Sequence, residues 1–157
     1  AAALAANGGS IAIPFQVNAP MKLVSVSVRN LDTATARSWR WDLYKDTGAN
    51  SLTRVAAPSA AESFTPSAAS TRTLAASSNT DLTEGTYWLV IQSTHATSTF
   101  GLGSTAAATF NGNSGQTKTT TNPNGASLDF VAATWTKVTA MYAARLNGAV
   151  FGQSTSF

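Results

Sequence analysis

Residues 83–94 have the sequence TEGTYWLVIQST, which contains the longest run of bulky apolar residues in the chain, from Tyr87 to Ile91. A turn at Glu84-Gly85 precedes the run. A strand that is apolar on both faces belongs in the middle of a sheet. We therefore predict a central β-strand here, with neighbouring strands on both sides.

Two segments near the start of the chain have strand character as well. SIAIPFQV (10–17) and MKLVSVSVRN (21–30) alternate apolar and polar residues with a period of two. The second places three valines on one face: Val24, Val26 and Val28. Because Pro14 cannot donate a backbone hydrogen bond, the first segment is predicted to be an edge strand.

RSWRWDLYK (37–45) alternates in the same way and ends in the turn cluster KDTGANS. One face carries Trp39, Trp41 and Leu43, and the other carries Ser38, Arg40, Asp42 and Tyr44. We interpret Asp42 as a member of a cross-strand ion pair, and a catalytic carboxylate is the alternative.

The remaining strand candidates are shorter. They are LTRVAA (52–57), STRTLAA (70–76), STFGLG (98–103), LDFVAATW (128–135), KVTAMYAARLN (137–147) and AVFGQSTSF (149–157). Residues 137–147 could also be helical by propensity, so both assignments stay open. Residues 104–126, rich in Gly, Thr and Asn, form a long excursion that is typical of a functional or interface loop.

Eight to ten short strands with turns between them predict an all-β fold, an antiparallel β-sandwich of jelly-roll type. The chain of 157 residues suits one domain. We expect an N-terminal arm over residues 1–9 and a single jelly-roll domain over residues 10–157.

Composition excludes several classes of protein. Ala, Ser and Thr account for 70 of the 157 residues, and charged residues for only 11%, against roughly 25% in an ordinary soluble domain. The ten basic residues are scattered and the net charge is only +3, so we expect no nucleic-acid partner. No apolar run approaches the roughly 18 residues of a spanning helix, so we expect no membrane insertion.

Catalytic and metal-binding patterns are weak in this sequence. His95 is the only histidine and cysteine is absent, which disfavours zinc and a Ser-His-Asp triad. Asp46 and Asn50 could supply two oxygen ligands to calcium, but a turn stabilised by Asx hydrogen bonding is the favoured interpretation. We predict that the protein is not an enzyme and that it has no metal site and no cofactor.

Carbohydrate recognition combines an aromatic platform with polar groups for the sugar hydroxyls. Four aromatic residues lie within the predicted strands and are expected mostly to pack in the core: Trp39, Trp41, Tyr87 and Trp88. Three others are placed less firmly within a predicted strand, and they are our candidates for contact with a ligand: Tyr44, Trp135 and Tyr142.

Three motifs together resemble a known family. They are Pro14-Phe15, residues 43–48 (LYKDTG) and residues 82–89 (LTEGTYWL). The path through them, covering about residues 10–103, is similar to a jelly-roll module that recurs in fibres, spikes and head-surface proteins of tailed bacteriophages. Glu84 stands where that module more often has Pro. The resemblance implies a fold and a virion location, and it carries no catalytic motif.

Two hypotheses follow from the resemblance. The first is a structural virion protein, a homotrimer that decorates or cements the capsid and binds the major capsid protein. The second is the receptor-binding tip of a tail fibre or spike, which recognises host surface glycans. A start at Ala1 is what removal of an initiator Met before a small residue leaves, and this favours decoration.

The N-terminal arm is the predicted attachment segment. Five of its first six residues are Ala, and ordering such a segment costs about 1–2 kcal/mol per residue in backbone entropy. We therefore expect Ala1, Ala2, Ala3 and Leu4 to bind a partner surface.

Overall fold

A computed structural model describes residues 2–4, 10–30, 36–48, 51–65, 67–93, 100–102, 104–105, 116–118, 136–137, 141–142 and 144–150. Within these residues every helix or strand element is a strand. In chain order the strands are β1 (Ala2–Leu4), β2 (Ser10–Val17), β3 (Met21–Asn30), β4 (Arg37–Gly48), β5 (Ser51–Ala56), β6 (Glu62–Phe64), β7 (Ser70–Leu82), β8 (Gly85–Ser93), β9 (Phe100–Leu102), β10 (Ser104–Thr105), β11 (Gln116–Lys118), β12 (Thr136–Lys137), β13 (Met141–Tyr142) and β14 (Ala144–Val150).

The strands form two main sheets, and all of their pairings are antiparallel. In the five-stranded sheet, β7 lies along one edge of β3, β14 and β9 follow each other along the opposite edge, and β1 pairs with β9. The seven-stranded sheet has the order β12-β11-β2-β8-β4, with β5 and β6 sharing the far edge of β4. Strands β10 and β13 pair separately.

The two sheets enclose one hydrophobic core. The five-stranded sheet contributes Leu23, Val26, Val28 and Leu82, and the seven-stranded sheet contributes Ile11, Ile13, Val17, Trp39, Trp41, Leu43, Ala56, Tyr87, Leu89 and Ile91. Alternate residues of β2, β4 and β8 therefore point into the core, as they do in a β-sandwich. The prediction of an all-β fold with antiparallel sheets is confirmed.

Strand β8 is central in its sheet, as its sequence predicts. It pairs with β2 from Gly85 to Gln92 on one side and with β4 on the other. Leu89 and Ile91 point into the core, while Val90 is buried on the opposite face. Burial on both faces explains why the run is apolar at consecutive positions.

The prediction that Val24, Val26 and Val28 share one face of β3 is wrong at Val24. Val26 and Val28 are buried as expected, but Val24 is 44% exposed and Leu23 is buried in its place. The pairing of β3 with β7 shifts between Leu23 and Ser25. This β-bulge reverses the alternation before Ser25, which a strict period of two does not anticipate.

Strand β2 is an edge strand only in part. Residues Ser10 to Ala12 pair with β11 as well as with β8. Among the described residues, Pro14 has its only strand partner in β8, at Trp88. Pro14 thus lies outside the part of β2 that the described residues pair on both sides.

The last strand settles part of the open choice over residues 137–147. Residues 144–147 belong to β14, a strand that pairs with β3, so helix is excluded there. This pairing shifts between Asn147 and Gly148. At Gly148 the backbone carbonyl of Lys22 approaches so closely that an added Cβ would lie 1.8 Å from its oxygen.

Polar contacts join the two sheets at one end of the sandwich. The Trp41 indole Nε1 donates to the backbone oxygen of Leu74 at 3.1 Å. Glu62 accepts a 2.5 Å hydrogen bond from Trp39 Nε1 and pairs with Arg72 of β7. Hydrogen bonds and an ion pair between side chains therefore connect β4 to β7, in addition to apolar packing.

Candidate functional site

The outer face of the seven-stranded sheet, the side turned away from the core, carries the first candidate site. Ala12, Tyr44 and Val90 are buried there in a second apolar cluster, with Leu52 and Trp88 packed against it. The outer face of this sheet is therefore not fully exposed to solvent at these three residues. Of the four aromatics predicted to pack mostly in the core, Trp88 is the one that lies on this outer face, and it is half-buried.

Of the three aromatics predicted to contact a ligand, Tyr44 is the one whose burial the structure describes. Tyr44 is only 6% exposed, which leaves a sugar ring little of its face to stack on. Tyr142 lies in the short strand β13, and Trp135 lies outside the described residues. The prediction that they contact a ligand stays a prediction.

A polar group lies on the same outer face, beside the apolar cluster. Arg40 Nη2 is 3.3 Å from Asp42 Oδ1, and Arg54 Nη1 of the neighbouring strand is 3.4 Å from the same oxygen. The predicted cross-strand ion pair of Asp42 is confirmed by the Arg54 contact. Gln92 lies opposite Arg40 on β8 and is buried as well.

Several atoms of this polar group have no hydrogen-bond partner in the described part of the chain. They are Arg40 Nε, Asp42 Oδ2, Gln92 Nε2 and Gln92 Oε1. A buried polar atom left unpaired costs about 1–3 kcal/mol. These unpaired atoms oppose the stability of the fold, and their burial keeps them from contact with a macromolecule.

Burial raises the pKa of the Asp42 carboxyl above its ordinary value of 3.8, and the positive charges of Arg40 and Arg54 offset part of this effect. Because the folded state favours the protonated acid, Asp42 contributes its full stabilisation below the unfolded-state pKa. That contribution is lost as the pH rises through the higher folded-state pKa.

We therefore expect the free energy of unfolding of the native protein, minus that of Asp42→Asn, to fall as the pH rises from about 4. Urea unfolding at a series of pH values measures this difference. The control is Asp81→Asn, which removes a carboxylate whose side chain is 64% exposed. The free energy of unfolding of Asp81→Asn, minus that of Asp42→Asn, should fall with rising pH in the same way. Parallel curves for the native protein and Asp42→Asn would contradict the assignment.

Three of the other described carboxylates are engaged in structural contacts. Glu62 joins the sheets, and Asp81 lies 3.1 Å from Lys22 on β3. Asp46 accepts a 2.9 Å hydrogen bond from the backbone of Gly48, which has a positive φ of 85°. This is the Asx turn that the sequence predicts at the hairpin between β4 and β5.

In the ranges that the structure describes, no three His, Cys, Asp or Glu side chains are placed to hold a metal ion. His95, Asn50, Asp32 and Asp129 lie outside those ranges. The described part of the chain also contains no helix with the length and apolar character needed to cross a membrane.

The predicted partner-binding arm has a strand in it. Residues 2–4 form β1, with Ala2 opposite Leu102 and Leu4 opposite Phe100. Ala1 lies outside the described residues. The pairing with β9 therefore orders these residues from within the chain, and contact of the arm with a partner stays a prediction.

Comparison of the chain with protein-family models, with curated proteins and with solved structures gave no match.

Proposed function

We propose that the chain is a non-enzymatic surface protein of a tailed-bacteriophage virion. In this proposal it folds as a jelly roll, assembles as a homotrimer and decorates the capsid by binding the major capsid protein. Neither nucleic acid nor membrane takes part. The function is assembly, and the surface of the domain supplies the contacts.

The nesting of the strand pairs is the observation that carries the jelly-roll assignment. Strand β4 pairs with β5, β3 with β7, β2 with β8 and β1 with β9. Successive pairs fall alternately in the seven-stranded and the five-stranded sheet. One long hairpin rolled into a sandwich has this arrangement, and a jelly roll is such a sandwich.

The positions of the resembling motifs support the link to phage structural modules. Pro14-Phe15 lies in β2, residues 43–48 lead into the β4–β5 hairpin, and residues 82–89 form the turn from β7 into the central strand β8. These are the strand and turn positions that the resemblance implies. A resemblance that follows fold-determining residues supports architecture first and virion location second.

The contacts of three described carboxylates support a non-enzymatic role. Asp42 is held by two arginines, Glu62 joins the two sheets, and Asp46 caps a turn. Glycoside hydrolysis would need two carboxyl groups facing one substrate. Charged residues make up only 11% of the chain, so apolar, hydroxyl and backbone groups are the main material for contacts with a partner.

The alternative is a receptor-binding tip that holds host glycans. Low exposure of Tyr44 weighs against a platform at that residue. We therefore place capsid decoration first.

Deleting residues 1–9 tests the proposal. The truncated protein should keep its sandwich, since β1 is the one described strand that it loses and β1 lies at the edge of its sheet. It should nevertheless lose most of its binding to capsids. Co-sedimentation with empty capsids and, separately, with purified tails measures this. Light scattering on the native protein should give three times the chain mass of 16.2 kDa.

A matched variant replaces residues 1–9 by a Gly/Ser segment of equal length, which separates the chemistry of the arm from its length. Full capsid occupancy by the truncated protein would contradict the proposed role of the arm. A preparation that binds capsids while remaining monomeric at all concentrations would contradict the trimer. Binding to tails alone would favour the receptor-binding alternative.

A further inference from the structure

The outer face of the five-stranded sheet has a different chemistry from that of the seven-stranded sheet. Asn147 of β14 donates through Nδ2 to Ser25 Oγ at 3.1 Å and to Ser27 Oγ at 2.8 Å, both on β3. The hydroxyl oxygens of Ser27 and Thr73 lie 2.7 Å apart. A hydrogen-bonded row of hydroxyl and amide groups thus crosses β7, β3 and β14.

A cleft of about 380 Å³ opens beside this row. It is lined by Ser27, Val28, Arg29, Thr71, Ala144 and Arg145. Ala144 supplies half-buried apolar surface, Thr71 an exposed hydroxyl and the two arginines guanidinium groups. Ser27 and Val28 are almost fully buried. The cleft therefore combines apolar contact, neutral hydrogen-bonding groups and positive charge within one concave site.

Strand register brings the two arginines to the cleft. Arg29 lies opposite Thr71 on β7, and Arg145 lies opposite Ser27 on β3. Arg145 donates through Nε to Asn147 Oδ1 at 2.8 Å, which ties its side chain to the polar row. Both arginine residues are exposed.

These two arginines differ from others that the structure describes. Arg40 and Arg54 pair with Asp42, and Arg72 pairs with Glu62. Within the described residues, neither Arg29 nor Arg145 has a carboxylate partner. Two guanidinium groups are therefore available to an anion that enters the cleft.

We propose that this cleft binds an acidic saccharide, a sugar bearing a carboxylate. Guanidinium groups pair with planar carboxylates through two parallel hydrogen bonds. The exposed hydroxyl group of Thr71 matches a sugar hydroxyl, and the half-buried Ala144 offers contact to the C–H groups of a sugar ring. The lining lacks an aromatic side chain on which a nucleic-acid base would stack.

The inference goes beyond the capsid role and does not depend on it, because the cleft lies on β3, β7 and β14 and not on the arm. An acidic saccharide would also fit the receptor-binding alternative, and the host glycan would then be one that carries a carboxylate. Capsid co-sedimentation of the same variants keeps the two questions separate: loss of saccharide binding with retained capsid binding leaves the proposed function intact.

The test is titration of the full chain with trigalacturonate, an acidic trisaccharide, against galactotriose, its neutral counterpart. NMR or calorimetry at low salt should detect binding of the acidic sugar and at least about tenfold weaker binding of the neutral one. Arg29→Gln and Arg145→Gln should each weaken trigalacturonate binding at least about tenfold, as expected when a charge-assisted hydrogen bond is removed.

Lys22→Gln is the matched control. It removes one positive charge from the same strand as Arg29, but seven positions away, or roughly 23 Å along a strand, and should leave binding unchanged. Thr71→Val tests the hydroxyl contribution in a variant that keeps both charges and should weaken binding by a smaller factor. Thermal unfolding checks that each variant is folded.

Three results would overturn the proposal. They are absence of trigalacturonate binding to the native protein, equal binding of the neutral sugar, and an equal loss in Lys22→Gln. If either arginine variant fails to fold, unchanged binding in Thr71→Val would overturn the proposed site.

Discussion

Trp41→Ala is expected to lower the free energy of unfolding by about 3–5 kcal/mol, the usual cost of truncating a buried tryptophan. Trp41 is fully buried in the core between the sheets. Its indole also donates to the backbone of Leu74 in the opposite sheet, so truncation leaves both a cavity and an unpaired carbonyl. Because whole domains are stable by only about 5–15 kcal/mol, urea unfolding should register a large loss.

Two further variants separate the causes. Trp41→Phe keeps most of the apolar volume but loses the bond to Leu74, so it should cost less than Trp41→Ala. Trp88→Ala truncates a half-buried tryptophan on the outer face and should also cost less. An equal loss from Trp41→Ala and Trp88→Ala would show that the core does not depend on Trp41 in the way its burial implies.

Gly148→Ala is expected to destabilise the fold by about 3 kcal/mol or more, because no side-chain adjustment can make room for the methyl group. The added Cβ would lie 1.8 Å from the backbone oxygen of Lys22. Either β14 or β3 must therefore move, and the pairing between them is lost locally. Urea unfolding gives the cost, and amide hydrogen exchange should show early opening of β14.

Gly48→Ala is the matched control for this substitution. Gly48 has a positive φ of 85° and no atom within 4 Å of an added Cβ, so the change costs only the left-handed backbone strain of about 1–2 kcal/mol. A cost at Gly148 no larger than that at Gly48 would contradict the steric argument.

Periodicity predicts strands well where a strand is regular. The predicted segments 10–17 and 21–30 coincide with β2 and β3, and the alternation over residues 37–45 places each tryptophan of β4 in the core. Because one face of a regular strand is buried, apolar residues alternate along it, and this alternation reveals the strand in the sequence. At Val24 the prediction fails, because the bulge depends on pairing with β7 and leaves no mark on β3 alone.

The candidate sites were harder to predict for the same reason. Asp42 could be recognised as a cross-strand partner from its polar position in an alternating strand. The arginine cleft could not, since it depends on the register of β14 against β3, which places Asn147 beside Ser27 from 120 positions away. Neither arginine belongs to a local motif that sequence reasoning could have used.

The nested order of the strand pairs has a consequence for synthesis on the ribosome. Local pairs such as β4 with β5 can close early, but β8 must insert between β2 and β4 after both are made. The edge of β3 that does not pair with β7 stays uncovered until residues 144–150 are made and β14 pairs with it. A nascent chain that ends before them exposes an unpaired edge strand, which is a template for pairing with another chain. Slow elongation through residues 94–143 therefore lengthens the period in which the unfinished protein is most prone to aggregate.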